Sequence, residues 1–243
     1  MKRRSFLAAF PAASVSLPVF SQPPKGGRLK ITAVEIWRVE GKREAVAGAR
    51  WQHQVNPLHI YEEHRPRPYQ APAEGKLTTV PSSALYLNIK TDAGVEGLYG
   101  PIDKEAAIVV DQQLKSFLTG KDPLAVETLW DQMYRLNRHS RAGHFMMAIS
   151  AVDNALWDLR GRCFGAPVYR LLGGPARPAV EAYGSCLGYS IESEAAGVRA
   201  AELKKNGFRH QKWFFAYGPG DGTEGLKKNL ALVRALREAA GDD

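Results

Sequence analysis

The sequence predicts an α+β domain, a three-stranded antiparallel sheet with helices, followed by the first two βα units of a parallel barrel. Three observations carry this reading. Before residue 100, three segments alternate apolar and polar residues as half-buried strands do. From Phe145 to Cys163 an apolar stripe repeats at helical spacing. After Pro178, strand-like and helix-like segments alternate with short connections, which favours parallel pairing and right-handed crossovers.

The elements follow in order. Leu29–Val39 is the first strand, with Ile31, Ala33, Glu35 and Trp37 on one face. A long segment from Gly41 to Lys76 holds Pro57, Pro66, Pro68 and Pro72 and shows no sustained periodicity. Val80–Lys90 is the second strand. The Asp92-Ala93-Gly94 turn returns it to a short third strand, Val95–Tyr99. Helices are predicted over Asp103–Leu118 and Leu124–Leu136, the latter opened by Asp122-Pro123. The longest helix spans Ala142–Cys163. Beside its apolar stripe runs a second line of Ala148, Ala151 and Ala155, small enough to admit another backbone. Gly165 ends it. Val180–Leu187 and Phe208–Phe215 read as strands, Ile191–Asn206 and Thr223–Ala240 as their helices. These divide the chain into 22–28 (a linker), 29–174 (an N-terminal domain with the long loop 41–76) and 178–243 (an incomplete barrel domain). Two parallel strands cannot cover both their faces, so the sequence is expected to be part of a longer protein.

Composition narrows the function. At 44% hydrophobic and 24% charged, the 243 residues are those of a globular protein. No run of 18 apolar residues occurs, so no stable membrane span is expected. The net charge of +8 owes three units to Lys2, Arg3 and Arg4, and the remaining surplus is scattered, which argues against nucleic acid as a partner. Residues 1–21 combine that basic start with an apolar stretch and small residues, the pattern of a twin-arginine-type export signal; the periplasm is the expected location, the cytoplasm the alternative. Cys163 and Cys186 read as two buried thiols rather than a bridge.

The segment Ala148-Ile-Ser-Ala-Val-Asp-Asn-Ala-Leu-Trp-Asp-Leu-Arg-Gly-Arg-Cys-Phe-Gly-Ala-Pro-Val-Tyr-Arg-Leu-Leu-Gly-Gly174 resembles, over 27 consecutive positions, the first signature of the mandelate racemase/muconate lactonizing enzyme group of the enolase superfamily. The resemblance implies that the α+β part is the capping domain of a modified TIM barrel, of which the first two βα units are present. It further implies a lyase that removes the proton alpha to a carboxylate with the help of Mg²⁺, acting on a small carboxylate substrate as a homo-oligomer. The metal ligands of such enzymes lie at the ends of the third to fifth barrel strands, so they are expected beyond residue 243, with no metal site in this chain. The chain by itself is then expected to be inactive.

Candidate site residues follow. Within Gly207-Phe208-Arg209-His210-Gln211-Lys212-Trp213-Phe214, Lys212 matches the first lysine of the family's Lys-x-Lys, and Phe214 stands where the second, the usual base, would be. Lys212 is the catalytic candidate, an electrostatic clamp for a carboxylate. Its alternative is a solvated lysine at a strand end. Phe214 cannot move a proton, which disfavours two-base racemisation and favours acid-sugar dehydration, a hydro-lyase reaction. Epimerisation or cycloisomerisation within the same group, or a non-catalytic capping module that binds a ligand, are the alternatives. In the long loop, Trp51, His53, His59 and Tyr61 are candidate substrate contacts: the histidines for hydroxyl groups, the aromatics to exclude water. Asp153 and Asp158 lie five apart, about 140° around a helix, and do not converge on one ion.

Overall fold

The computed structural model describes residues 28–46, 52–67, 69, 77–139 and 141–242. Residues 1–21, on which the export-signal expectation rests, and the candidate Trp51 lie outside the described residues. The chain divides into two units. One comprises residues 1–41 and 82–176, the other 42–81 and 177–243. The loop assigned to the N-terminal domain by its position in the sequence thus groups with the barrel units.

β1 (Ile31–Val46), β2 (Leu77–Thr91) and β3 (Glu96–Ile102) form a sheet in the order β1-β2-β3, which belongs to the first unit up to Gly41 and from Ser82. β2 and β3 pair antiparallel, with Leu87 opposite Tyr99 and Ile89 opposite Gly97. Gly94, at φ 74°, makes the turn between them. β1 runs on to Val46, inside the segment 41–76 read as irregular, and β2 starts at Leu77, ahead of the predicted Val80.

The segment predicted as one helix over 103–118 is helical but not uniform. α1 (Lys104–Val109) passes through a π turn, Val110–Leu114, into α2 (Lys115–Leu118). Val110, Leu114 and Leu118 are all fully buried on the core side of this run. α3 (Val126–Leu136) and α4 (Gly143–Phe164) follow, then the single turn α5 (Val168–Leu171). Gly165 ends α4 in the left-handed region, at φ 61°.

α4 lies against β3, and Gly97 of β3, facing Ala155 and Leu159, is what lets it do so. A Cβ placed on Gly97 would fall 2.7 Å from Leu159 Cβ and overlap the carbonyl oxygen of Ala155. Asp158 secures the approach: its Oδ2 accepts from the backbone N–H of Leu98 (2.9 Å) and from Arg162 Nε (2.8 Å). The core between sheet and helices is built from Ile31, Val34, Leu87, Ile89, Met133, Ile149, Leu156 and Leu159.

In the second unit, β4 (Tyr183–Ser185) and β5 (His210–Lys212) pair parallel, with Tyr183 opposite His210 and Ser185 opposite Lys212. Both are shorter than the predicted strands, Val180–Leu187 and Phe208–Phe215. Each has one strand partner among the described residues, so the ladder covers only the residues that face each other. α6 (Ser193–Lys205) and α7 (Gly222–Ala240) pack together. α6 covers one face of the pair: Gln211 Nε2 donates to the Ala200 carbonyl (2.8 Å), and Gly184 leaves room for Leu203. Ile191, Ala196, Ala216 and Leu232 form the core of this unit, joined by Trp213 and Tyr217.

Both cysteines are buried and free, and burial pushes both thiols above their ordinary range. Among the described residues no helix is long and apolar enough to cross a membrane.

Candidate functional site

Alternation along β5 sets Gln211 toward the helices and His210 and Lys212 toward the opposite face, shared with Tyr183 and Ser185 of β4. Lys212 is exposed there, at the C-terminal end of its strand. Two rings bracket its ammonium group. Nζ lies 5.1 Å from the centroid of Phe214 and 5.7 Å from that of Tyr183. Each such contact at an exposed site is worth about 0.5–1 kcal/mol, enough to restrict a flexible lysine without removing its charge from solvent. Phe214, which cannot serve as a base, therefore has a physical role beside Lys212.

The chain that follows β5 is where the histidine-bearing loop attaches. The backbone N–H of Val55 donates to the Phe215 carbonyl (2.8 Å), and that of Gln52 to the Gly188 carbonyl in the loop after β4 (3.1 Å). This places His53 and Val55 beside residues three and four positions past Lys212. At the next turn, Gly218–Asp221, Asp221 Oδ2 accepts from the Gly218 N–H (2.8 Å), closing a short loop ahead of α7. Asn229 of α7 holds the same turn by donating to the Tyr217 carbonyl (3.0 Å).

His53 and His59 come together edge to face, their ring centroids 5.5 Å apart. Burial holds the His53 imidazole below its ordinary value, and the neighbouring His59 adds to this. A backbone hydrogen bond with Ala216 and the Asp221 carboxylate act in the opposite sense, between and after those two in size. His53 is therefore neutral near pH 7, and its buried Nδ1 has no hydrogen-bond partner among the described residues. His59 is itself buried, and both its ring nitrogens are engaged by Asn56: the backbone N–H lies 3.3 Å from Nδ1 and the amide 2.8 Å from Nε2. Those bonds complete the cap of the short helical turn Pro57–Ile60. Tyr61 is largely exposed, with its ring edge-on to His64 at 6.3 Å. The structure thus gathers His53 and His59 at the turn after β5, and sets Tyr61 on the outer surface of the segment.

Asn56, Arg65, Gly220 and Asp221 organise this region and were not among the sequence candidates. Asn56-Pro57 is a recognisable helix-start signal. Nothing in the sequence pairs Arg65 with Gly220, 155 residues away. Asp153 and Asp158 take no part in the region. Asp158 ties β3 to α4, and burial, then the Glu127 charge, raise the Asp153 carboxyl above its ordinary range.

Residues 58–173 match the family model described as mandelate racemase / muconate lactonizing enzyme, N-terminal domain. A D-galactonate dehydratase of Ralstonia pickettii is 33% identical over 174 residues, 69% of this chain and 45% of that protein. An L-rhamnonate dehydratase of Saccharopolyspora erythraea is 33% identical over 193 residues, 79% of this chain and 45% of its own. Among solved structures, D-glucarate dehydratase of Agrobacterium tumefaciens, complexed with magnesium, superposes with a TM-score of 0.62 at 28% identity, covering 89% of this chain and 53% of that one. The chain spans less than half the length of these two curated relatives.

Proposed function

We propose, for a chain that belongs to the mandelate racemase/muconate lactonizing enzyme group of the enolase superfamily, that it is the N-terminal part of a hydro-lyase that dehydrates a sugar acid. The relatives it resembles act as dehydratases of galactonate, rhamnonate and glucarate by name. In such a reaction the proton alpha to the carboxylate leaves first, the neighbouring hydroxyl departs as water, and the resulting enol becomes a 2-keto-3-deoxy acid. The α-proton of a carboxylate is very weakly acidic, so the charge that develops on the enediolate has to be stabilised. The superfamily meets this with a magnesium ion. By the family resemblance, its ligands are proposed to lie at the ends of the third to fifth barrel strands, outside these 243 residues.

Within this chain, Lys212 supplies a fixed positive charge for the substrate carboxylate and the developing enediolate, with Tyr183 and Phe214 restricting its reach. His53, neutral, offers a hydrogen bond to a sugar hydroxyl. The segment around it excludes water. The carrying observation is the attachment of the histidine-bearing segment to the residues that follow β5, at the C-terminal end of a parallel strand where barrel enzymes place their chemistry. Export of the protein through residues 1–21 and assembly as a homo-oligomer belong to the same proposal.

The test is the complete protein assayed with magnesium against galactonate, rhamnonate and glucarate for release of a 2-keto-3-deoxy acid. Lys212→Ala is expected to lower kcat/KM by about 10²-fold or more. Unchanged kinetics would remove Lys212 from the site. Turnover by epimerisation, with no keto acid formed, would favour the racemase-like alternative.

A further inference from the structure

The two ends of the histidine-bearing segment are held by different means. At its start, backbone bonds do the work, Gln52 to Gly188 and Val55 to Phe215. At its end the holding group is a side chain. Arg65 Nε donates to the His59 carbonyl within the segment (3.1 Å), and Nη2 donates to the Gly220 carbonyl on the turn before α7 (2.7 Å). Nη1 stands 3.9 Å from Asp221 Oδ1, a longer ionic contact whose carboxylate is already fixed by the Gly218 N–H. One planar guanidinium thus joins the segment to the turn through two carbonyls and a carboxylate, a geometry that the single ammonium of lysine cannot copy.

The turn is shaped to receive it. A Cβ on Gly220 would lie 3.0 Å from Ile60 Cα, 3.1 Å from Arg65 Nη2 and 3.3 Å from the His59 carbonyl oxygen. A Cβ on Gly218 would lie 2.7 Å from Val55 Cγ2. Glycine at 220 brings backbone against backbone, glycine at 218 admits the Val55 side chain, and the Arg65 fork closes the far side of the contact.

We propose that Arg65 is the positioning residue that seats the His53–His59 segment on the 218–221 turn. Its removal frees the C-terminal half of the segment while the Gln52 and Val55 bonds still hold the other half. What the seated segment does for catalysis rests on the dehydratase reading above. The seat itself is measured without substrate.

Amide hydrogen exchange on the full chain reads the seat. In Arg65→Ala, the amides of His59 and Tyr61, which bond to the Asn56 and Leu58 carbonyls, are expected to exchange about ten-fold faster or more. Those inside α6 and α7 should be unchanged. Arg65→Lys should give a partial return of protection, and Gly220→Ala should loosen the same amides because Ile60 Cα cannot yield. Unchanged exchange at His59 and Tyr61 in Arg65→Ala would overturn the proposal. So would faster exchange spread equally through α6 and α7, which would make Arg65 a general stabiliser. In the complete enzyme, Arg65→Ala should raise KM for the acid sugar more than it lowers kcat. A wild-type protein that turns over no sugar acid, with the local exchange result intact, would sink the dehydratase reading and leave the seat standing.

Discussion

His53 shows how a single side chain acquires its properties from the place where the chain puts it. Its imidazole is held below the ordinary value of 6.5, first by burial. For a base with a lowered folded value, the neutral form is what the fold favours. The stability this contributes is complete above about pH 6.5 and is lost as pH falls through the lower value in the folded protein. His53→Gln, neutral at every pH, should therefore flatten the acid limb of the melting curve. Thermal denaturation of both proteins from pH 8 to 5 checks this, and parallel limbs would show that His53 titrates as freely as in the unfolded chain. Lys212 illustrates the reverse case. Its position on β5 was legible from a sequence match and period-2 geometry, and the two rings that bracket its ammonium come from Tyr183 across the parallel pair and Phe214 two residues on. His59 was legible only as a histidine in a long loop. That it is buried and bonded through Asn56 follows from a local cap, which gives it a part in shaping the segment.

At the scale of elements, α4 and β3 make the closest contact in the first unit, and small residues on both partners permit it. Gly97→Ala should cost about 1–3 kcal/mol, because the added methyl meets the α4 backbone at Ala155 and not a side chain that can rotate away. The urea midpoint of the variant reads this, and an unchanged midpoint would show that β3 can shift outward at no cost. The alanine line of α4 was plain in the sequence because a helical period of 3.6 is a local property. The glycine opposite it was not, since Gly97 lies in a strand about 60 residues earlier and only the fold brings the two together. Apolar spacing predicts a helix across 103–118, and the structure puts a π turn in it at Val110–Leu114, with Val110 and Leu114 fully buried.

For the whole molecule, the face of β4 and β5 away from the helices and the flanking chain leave large apolar side chains in solvent: Val180 is 82% exposed, Leu187 55% and Tyr183 53%. A parallel pair normally has both faces covered. The 243 residues expressed by themselves should accordingly self-associate, and light scattering coupled to size exclusion would show it; a monodisperse monomer at high concentration would contradict the expectation. The sequence by itself determined the order and type of the elements, the antiparallel sheet, the parallel pair, the long helix and the family signature on it. Each of these rests on the spacing of residues within an element or between neighbouring ones, which periodicity and capping chemistry report directly. The tertiary structure alone decided which unit the long loop joins, that His53 becomes a half-buried neutral group, and that Arg65 reaches Gly220. Those depend on contacts between residues more than 130 apart, whose pairing is set by the free energy of the whole packed unit and leaves no local trace in the chain.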